Sequence, residues 1–515
     1  MVRKHCFIGL IMLLSVGLLF VGAPQATFAQ EDPVLRIANY RITQTLDSTD
    51  SGQAWWISFG AGETLVTIAD DGTVVPNLLE SLTNLDERRW LMRLRPGLTF
   101  QNGKTLDAEA LKAFLLRQSE KCVLANAQLP DLQAKVTGEL EVTITTAYPD
   151  SIVPWKLLQH NGFIVYDAET VEAAETPEDL AGTGYLTGPY TPVELNEKRI
   201  VLERYDGYWK GRPALQRVEI LTIPDAQARY AAVLNGEVDW DYRPSTEIAA
   251  VLKGRNDAFY LQGKGVSALR IEPNILSSPF NEWEARRAFG LSIDYEAIAN
   301  QVMDGLYEPA TGMFPEFLPY AVQNQVTDLF RANQLLDSIG WKMGDDGYRY
   351  RDGERLTVKF HVRPTFGDWV SHVLAVQDQV KATGFFVDIV QNDDSTLNLD
   401  RSEWDATIIG NATISIWSGN AEVQLVRYHL SDSVQNYSGM ADPQIDRLAK
   451  DLMAEFDEAK RYQMLRDVQD IMIESKAYLI VASFSRPSIV VNAAYRNMKV
   501  DNWRNWVNWQ TAPQQ

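Results

Sequence analysis

Two hydrophobic periodicities share this chain. Trp90 to Arg95, Glu139 to Thr146 and Leu356 to Val362 alternate apolar and polar residues, the pattern of half-buried strands. After Asp107 the apolar positions Leu111, Phe114 and Leu115 fall three and four apart, which predicts a helix capped by that aspartate. Asp225 opens another, Ala226 to Asn235, stopped by Gly236. Leu35 to Tyr40, Arg199 to Arg204 and Val218 to Ile223 read as further strands, and Ala69-Asp-Asp-Gly72 as a turn between apolar stretches.

Beyond Arg270 the spacing predicts helices over Trp283 to Ile293, Tyr295 to Leu306 and Arg331 to Ile339. Two Asp-Gly turns make Asp345 to Gly353 a tight hairpin. Strand Leu356 to Val362, helix Trp369 to Thr383 and strand Phe386 to Val390 follow the βαβ grammar of an α/β unit. Asp442-Pro443 starts a helix carrying Ile445, Leu448, Leu452 and Met453, and Glu458 to Met472 forms the next. Ile489 to Asp501 is strand-like and returns toward the first half. No stretch has linker composition and no repeat is present, so ordered strands must join the halves.

The amino terminus bears on where the protein works. Basic Arg3 and Lys4 precede an apolar run, Phe7 to Val21, and then Ala26-Thr-Phe-Ala29, a secretory signal with cleavage expected after Ala29. Gly22, Pro24 and Gln25 interrupt the run short of the roughly twenty apolar residues that span a bilayer. A soluble mature protein, periplasmic or secreted, is expected. Cys6 precedes the apolar run and cannot carry a lipoprotein lipid, and Cys122 is then the only cysteine, which excludes an internal disulfide. About 486 residues remain, more than the ~250–300 that one core organises. Losing Arg3 and Lys4 moves the net charge from −20 to −22, a balance that argues against nucleic acid or an anionic membrane surface as partner.

Several segments in fixed order resemble one family. They include Gly72-Thr-Val-Val-Pro-Asn-Leu-Leu-Glu-Ser, Leu91-Met-Arg-Leu-Arg-Pro-Gly-Leu-Thr-Phe-Gln-Asn-Gly, Gly188-Pro-Tyr and Val201-Leu-Glu-Arg-Tyr-Asp-Gly-Tyr-Trp-Lys-Gly-Arg-Pro. Ser278-Pro-Phe-Asn-Glu-Trp, Ala332-Asn-Gln-Leu-Leu-Asp-Ser-Ile-Gly-Trp and Tyr437-Ser-Gly-Met-Ala-Asp-Pro continue the series. The chain is similar to the extracellular solute-binding proteins of family 5, the peptide/nickel type that serves ABC importers. The resemblance implies an α/β, two-lobed periplasmic-binding-protein-like fold (type II, cluster C) with mixed sheets and a two-strand hinge. It places lobe I at 30–264, with an additional subdomain about 70–190, lobe II at 265–490, and the return at 491–515, after a signal at 1–29. It also implies a monomer that closes on a small solute and meets permease subunits of a transporter, with no catalytic group and no cofactor.

The same resemblance nominates ligand contacts. Peptide-binding members hold the ligand amine with an aspartate in Trp-x-x-Asp; here the matching stretch is Trp417-Ser418-Gly419-Asn420, with asparagine at the anchor. An uncharged acceptor forgoes a charge-assisted bond, which disfavours a free peptide amine. Val362-Arg363-Pro364 resembles the Arg-Pro that meets a ligand carboxylate, and a guanidinium suits that bidentate contact. Trp55 and Trp56 lie where relatives bring aromatic side chains to the cleft, with core packing favoured for one of the two. For Trp503, Trp506 and Trp509 core or interface packing is the reading.

Nickel-binding members use a histidine where this chain has Gln424. His160, His361, His372 and His429 form no two-histidine set at helical spacing, so no metal site is expected. A rival class is a secreted carbohydrate-active hydrolase working through two carboxylates. The sequence carries no Gly-x-Ser-x-Gly, and Gly60-Ala-Gly-Glu lacks the third glycine of a dinucleotide loop.

Overall fold

A computed structural model describes residues 33–43, 45–47, 49, 54–158, 162–410, 421–503 and 506–514. The signal-like segment 1–29 and the stretch Trp417 to Asn420 lie outside the described residues. Alternation places side chains as a pleat requires: in the strand Arg89–Leu94, Trp90, Met92 and Leu94 are buried while Arg89 and Arg93 face water. Asp107 caps the helix Ala108–Lys121, its Oδ1 accepting from the Ala110 amide at 2.9 Å.

Two large sheets organise the chain. The first has seven strands in the order Ala258–Gln262, Ser488–Asn492, Trp240–Asp241, Val34–Asn39, Arg217–Thr222, Arg199–Arg204 and Tyr190–Leu195. The second has six: Tyr307–Pro309, Ile480–Ser485, Ser267–Pro273, Ala406–Gly410, Thr357–Val362 and Phe386–Gln391. Both mix parallel and antiparallel pairs. A smaller four-stranded sheet is built from residues between Leu79 and Thr145.

The chain passes between the large sheets twice, from Gln262 to Ser267 and from Ser485 to Ser488, and the two passages touch where the Gly263 amide donates to the Pro487 carbonyl at 2.9 Å. Strand register decides which edges meet there. Asp241 pairs with Val490, near the start of Ser488–Asn492, so the carboxyl ends of Trp240–Asp241 and of its parallel neighbour Val34–Asn39 point at the crossings. In the second sheet Gly410 pairs with Leu269, near the start of Ser267–Pro273, so Ala406–Gly410 and its parallel neighbour Thr357–Val362 also end there. Open α/β sheets bind ligands beyond such carboxyl ends.

A second junction lies away from the crossings. Ser151 donates its amide to the Met453 carbonyl at 2.7 Å and its hydroxyl to the Leu452 carbonyl at 3.1 Å, satisfying the end of the helix Pro443–Ala454. Beside it Lys156 and Asp150 form a buried ion pair at 2.5 Å. Trp90 packs on Phe456 with ring centroids 6.3 Å apart, and the Arg461 guanidinium lies 4.7 Å from the centre of the Trp155 ring.

Two elements differ from the sequence expectation. The helix expected over Tyr295 to Leu306 is α-helical only at Tyr295–Ala297 and widens into a π-turn at Ile298–Val302, where the Met303 amide reaches the Ile298 carbonyl. The return strand expected as far as Asp501 stops at Asn492, whose side chain accepts from the Ala494 amide at 3.0 Å and starts a 3-10 turn.

Candidate functional site

The first sheet contributes an aromatic floor. The short helix Ala54–Ser58 is held by a close backbone approach: the Gly188 amide donates to Ala61 and the Tyr190 amide to Gly60. A Cβ on Gly188 would sit 2.5 Å from the Ala61 backbone, so only glycine admits this contact. Trp55 is half-buried, stacked on Phe59 at 5.8 Å and tilted on Tyr242 at 5.3 Å. Trp56 is fully buried in the hydrophobic core, making it the packing member of the pair. Tyr242 also meets Trp506 at 4.5 Å, and Trp503 and Trp506 are both buried.

Arg243 follows directly after these strand ends. Its backbone takes φ +150°, a region that residues with side chains rarely occupy, and strain of this kind concentrates at functional sites. The cause is visible in Arg229, whose buried guanidinium pairs with Asp241 at 2.8 Å and donates to the carbonyls of Ile223, Pro224 and Arg243. One cation thereby gathers two strand ends and fixes the Arg243 backbone. The Arg243 side chain is exposed, donates to the Tyr40 hydroxyl at 3.3 Å and lies over that ring.

The second sheet supplies Arg363 at the end of Thr357–Val362. Arg363 is half-buried, lies 5.2 Å from the centre of the Phe366 ring, and has no ion-pair partner among the described residues; its Nε is buried without a hydrogen-bond acceptor. Asp368, one turn further on, accepts from the Tyr307 hydroxyl. At the crossings a cavity of about 160 Å³ is lined by Arg243, Tyr260, Tyr307, Asp368, Arg486 and Trp506 together with the crossing backbone. It therefore draws on both sheets.

The structure brings Trp55 and Arg363 to the strand ends that converge on the crossings and sends Trp56 into the core. Sequence reasoning missed Arg243, Asp368 and Tyr307. A residue before proline, as Arg243 is before Pro244, is biased out of helix, and that was the one local sign.

The described histidines have structural partners, and His160 lies outside the described residues. His361 meets Thr407, Thr396 and the Asn392 carbonyl, and His372 meets the Asp368 carbonyl and Ser483. His429 lies 3.1 Å from Arg270 Nη1, and burial together with that guanidinium pushes its pKa well down. Gln424 is buried with its Oε1 unbonded. Among the described residues no three His, Cys, Asp or Glu side chains are grouped to hold a metal ion, and no helix is long and apolar enough to cross a membrane.

Two mixed sheets bridged by paired crossings, with opposed strand ends offering aromatic rings and unpaired guanidinium groups, define a solute-binding protein of the ABC-transporter type. Residues 73–428 match the model of the bacterial extracellular solute-binding proteins, family 5, and the chain belongs to that family. It is 25% identical over 448 residues to the nickel-binding periplasmic protein of Escherichia coli K12, covering 82% of this chain and 83% of that one. Identity to the glutathione-binding protein GsiB of Salmonella paratyphi A is 27% over 342 residues, 64% of this chain and 66% of the relative. In fold it matches NikA from Brucella suis in complex with Fe(III)-EDTA, with TM-score 0.81 and 20% identity, across 94% of this chain and all of that one. The fold is that of the cluster C periplasmic binding proteins, and the family is non-enzymatic, which removes the hydrolase alternative.

Proposed function

We propose that this chain captures a small carboxylate-bearing solute between its two sheets, closes about the crossings, and hands the solute to the permease of an ABC importer. The observation that carries the reading is Arg363: a guanidinium at a cleft-facing strand end, partly out of water, with no carboxylate of the described residues at ion-pair distance. Leaving such a group unpaired is costly unless a ligand completes it. Trp55 supplies an aromatic wall, and the Trp417-Ser418-Gly419-Asn420 pattern of the sequence belongs to the same proposal. Only the closed, occupied protein presents the outer surface a permease reads. The described relatives bind nickel, glutathione and an Fe(III) chelate; a chelate or a peptide-like solute would meet Arg363 through the same carboxylate chemistry. Export through the 1–29 signal as a monomer belongs to this reading, as do a first lobe at 30–264 with its return at 491–515 and a second at 265–490.

Mass spectrometry of solute carried through purification, followed by thermal-shift screening of organic acids, peptides, oligosaccharides and chelates, tests it. Stabilisation should grow with the logarithm of ligand concentration. For the solute so found, Arg363→Ala should weaken binding by more than ~1 kcal/mol with the unfolding midpoint of the free protein unchanged. Unaltered affinity by calorimetry would remove Arg363 from the site. Small-angle scattering gives a separate check on closure: the radius of gyration should fall when solute is added, and identical curves would remove the hinge mechanism.

A further inference from the structure

We propose that the cavity at the crossings is a receptor for a zwitterionic α-amino-acid group, with Arg243 taking the carboxylate and Asp368 the ammonium. The proposal deepens the transport reading and rests on it. Three observations carry it. First, Arg243 is held in a strained backbone by Arg229, so its side chain is aimed by the fold, and it has no ion-pair partner among the described residues. Second, Asp368 lines the same cavity from the other sheet; among the described residues its carboxylate accepts from the Tyr307 hydroxyl and meets no cation. The two opposite charges share a cavity yet are not paired to each other, which leaves room between them for a group carrying both complements.

Third, size and lining select the ligand. At about 160 Å³ the space corresponds to roughly five water volumes, enough for an α-amino-acid head and a small side chain. Tyr260 and Trp506 add two aromatic walls to an otherwise polar lining. The other cation of the lining, Arg486, already faces Glu308 at 3.5 Å. A linear peptide separates its ammonium from its carboxylate by its own length, whereas a free amino acid or a γ-glutamyl compound keeps both on one carbon. The cavity suits the second arrangement.

Titration calorimetry on the full chain with glycine and L-alanine, against acetate, methylammonium and glycine methyl ester, tests this. The two zwitterions should bind and the half-charged compounds should not at the same concentration. Arg243→Gln and Asp368→Asn should each weaken zwitterion binding roughly tenfold or more, with the thermal midpoint of the free protein unmoved. A γ-glutamyl dipeptide distinguishes the two ligand sources: tighter binding than glycine assigns the side-chain-linked form, weaker binding the free amino acid. Failure of both zwitterions to bind, or unchanged affinity in either variant, overturns the proposal. If a carboxylate solute then binds in an Arg363-dependent way, the transport reading survives alone; if no solute in the library binds, both fall.

Discussion

Replacing Arg229 with leucine should cost about 3–5 kcal/mol of stability, the range for removing one partner of a buried ion pair. Arg229 and Asp241 are almost wholly buried, and Arg229 also serves three backbone carbonyls, so the variant loses four bonds and strands a carboxylate. Against a total stability of about 5–15 kcal/mol, that loss should be plain in a denaturant titration. The pH dependence gives the cause. Burial pushes Asp241 up to about 6, with Arg229 opposing the shift. Because the folded value stands above the ordinary carboxylate range, the native state takes up a proton the unfolded chain does not, and stability falls as pH rises through that window. Removing Arg229 deletes the opposing attraction, so the folded pKa climbs and the window widens upward. The deficit relative to the parent protein should therefore be smaller at pH 5 than at pH 8. Equal deficits at both would mean that packing, not the stranded charge, accounts for the loss.

The second large effect concerns the junction at Ser151. Lys156→Met should also lose about 3–5 kcal/mol, since Asp150, its pKa already raised by desolvation, would be left without its cation. The loss should be local before it is global. Asp150 holds the Ile152 amide at 3.2 Å and receives the Trp90 indole at its carbonyl, so disturbing it loosens the residues that bind Leu452 and Met453. Hydrogen exchange read at the Ser151 amide should accelerate more than exchange in the strand Val34–Asn39. Uniform acceleration would show that the pair supports the whole fold and no junction in particular.

Much of the local structure was readable because its physics is local. Asp107, Asp225 and Asp442 each cap the helix that follows, and the alternation at Trp90, Met92 and Leu94 faces the core as a pleat demands. Ser267–Pro273 escaped because every residue in it is buried, so no alternation marks it, and Trp240–Asp241 is too short to carry a period. Strand order escaped for a different reason: Val490 meeting Asp241 joins residues 249 positions apart, and nothing nearby announces it. At the site, Arg363 was nominated by the Arg-Pro pattern of the family and not by any local physical signal. Asp368 reads in sequence as an ordinary acid in the first turn of a helix, and its place opposite Arg243 exists only once the sheets meet.

The strand Ser488–Asn492 lies inside the first sheet, between Ala258–Gln262 and Trp240–Asp241. During synthesis this sheet therefore waits with a gap at an interior position until residues 488–492 arrive, by which time every strand of the second sheet has been made. The later-encoded body can mature first, and the earlier one is zipped shut last, so a truncation that removes residues 488–515 would harm the half of the molecule that was translated longest ago.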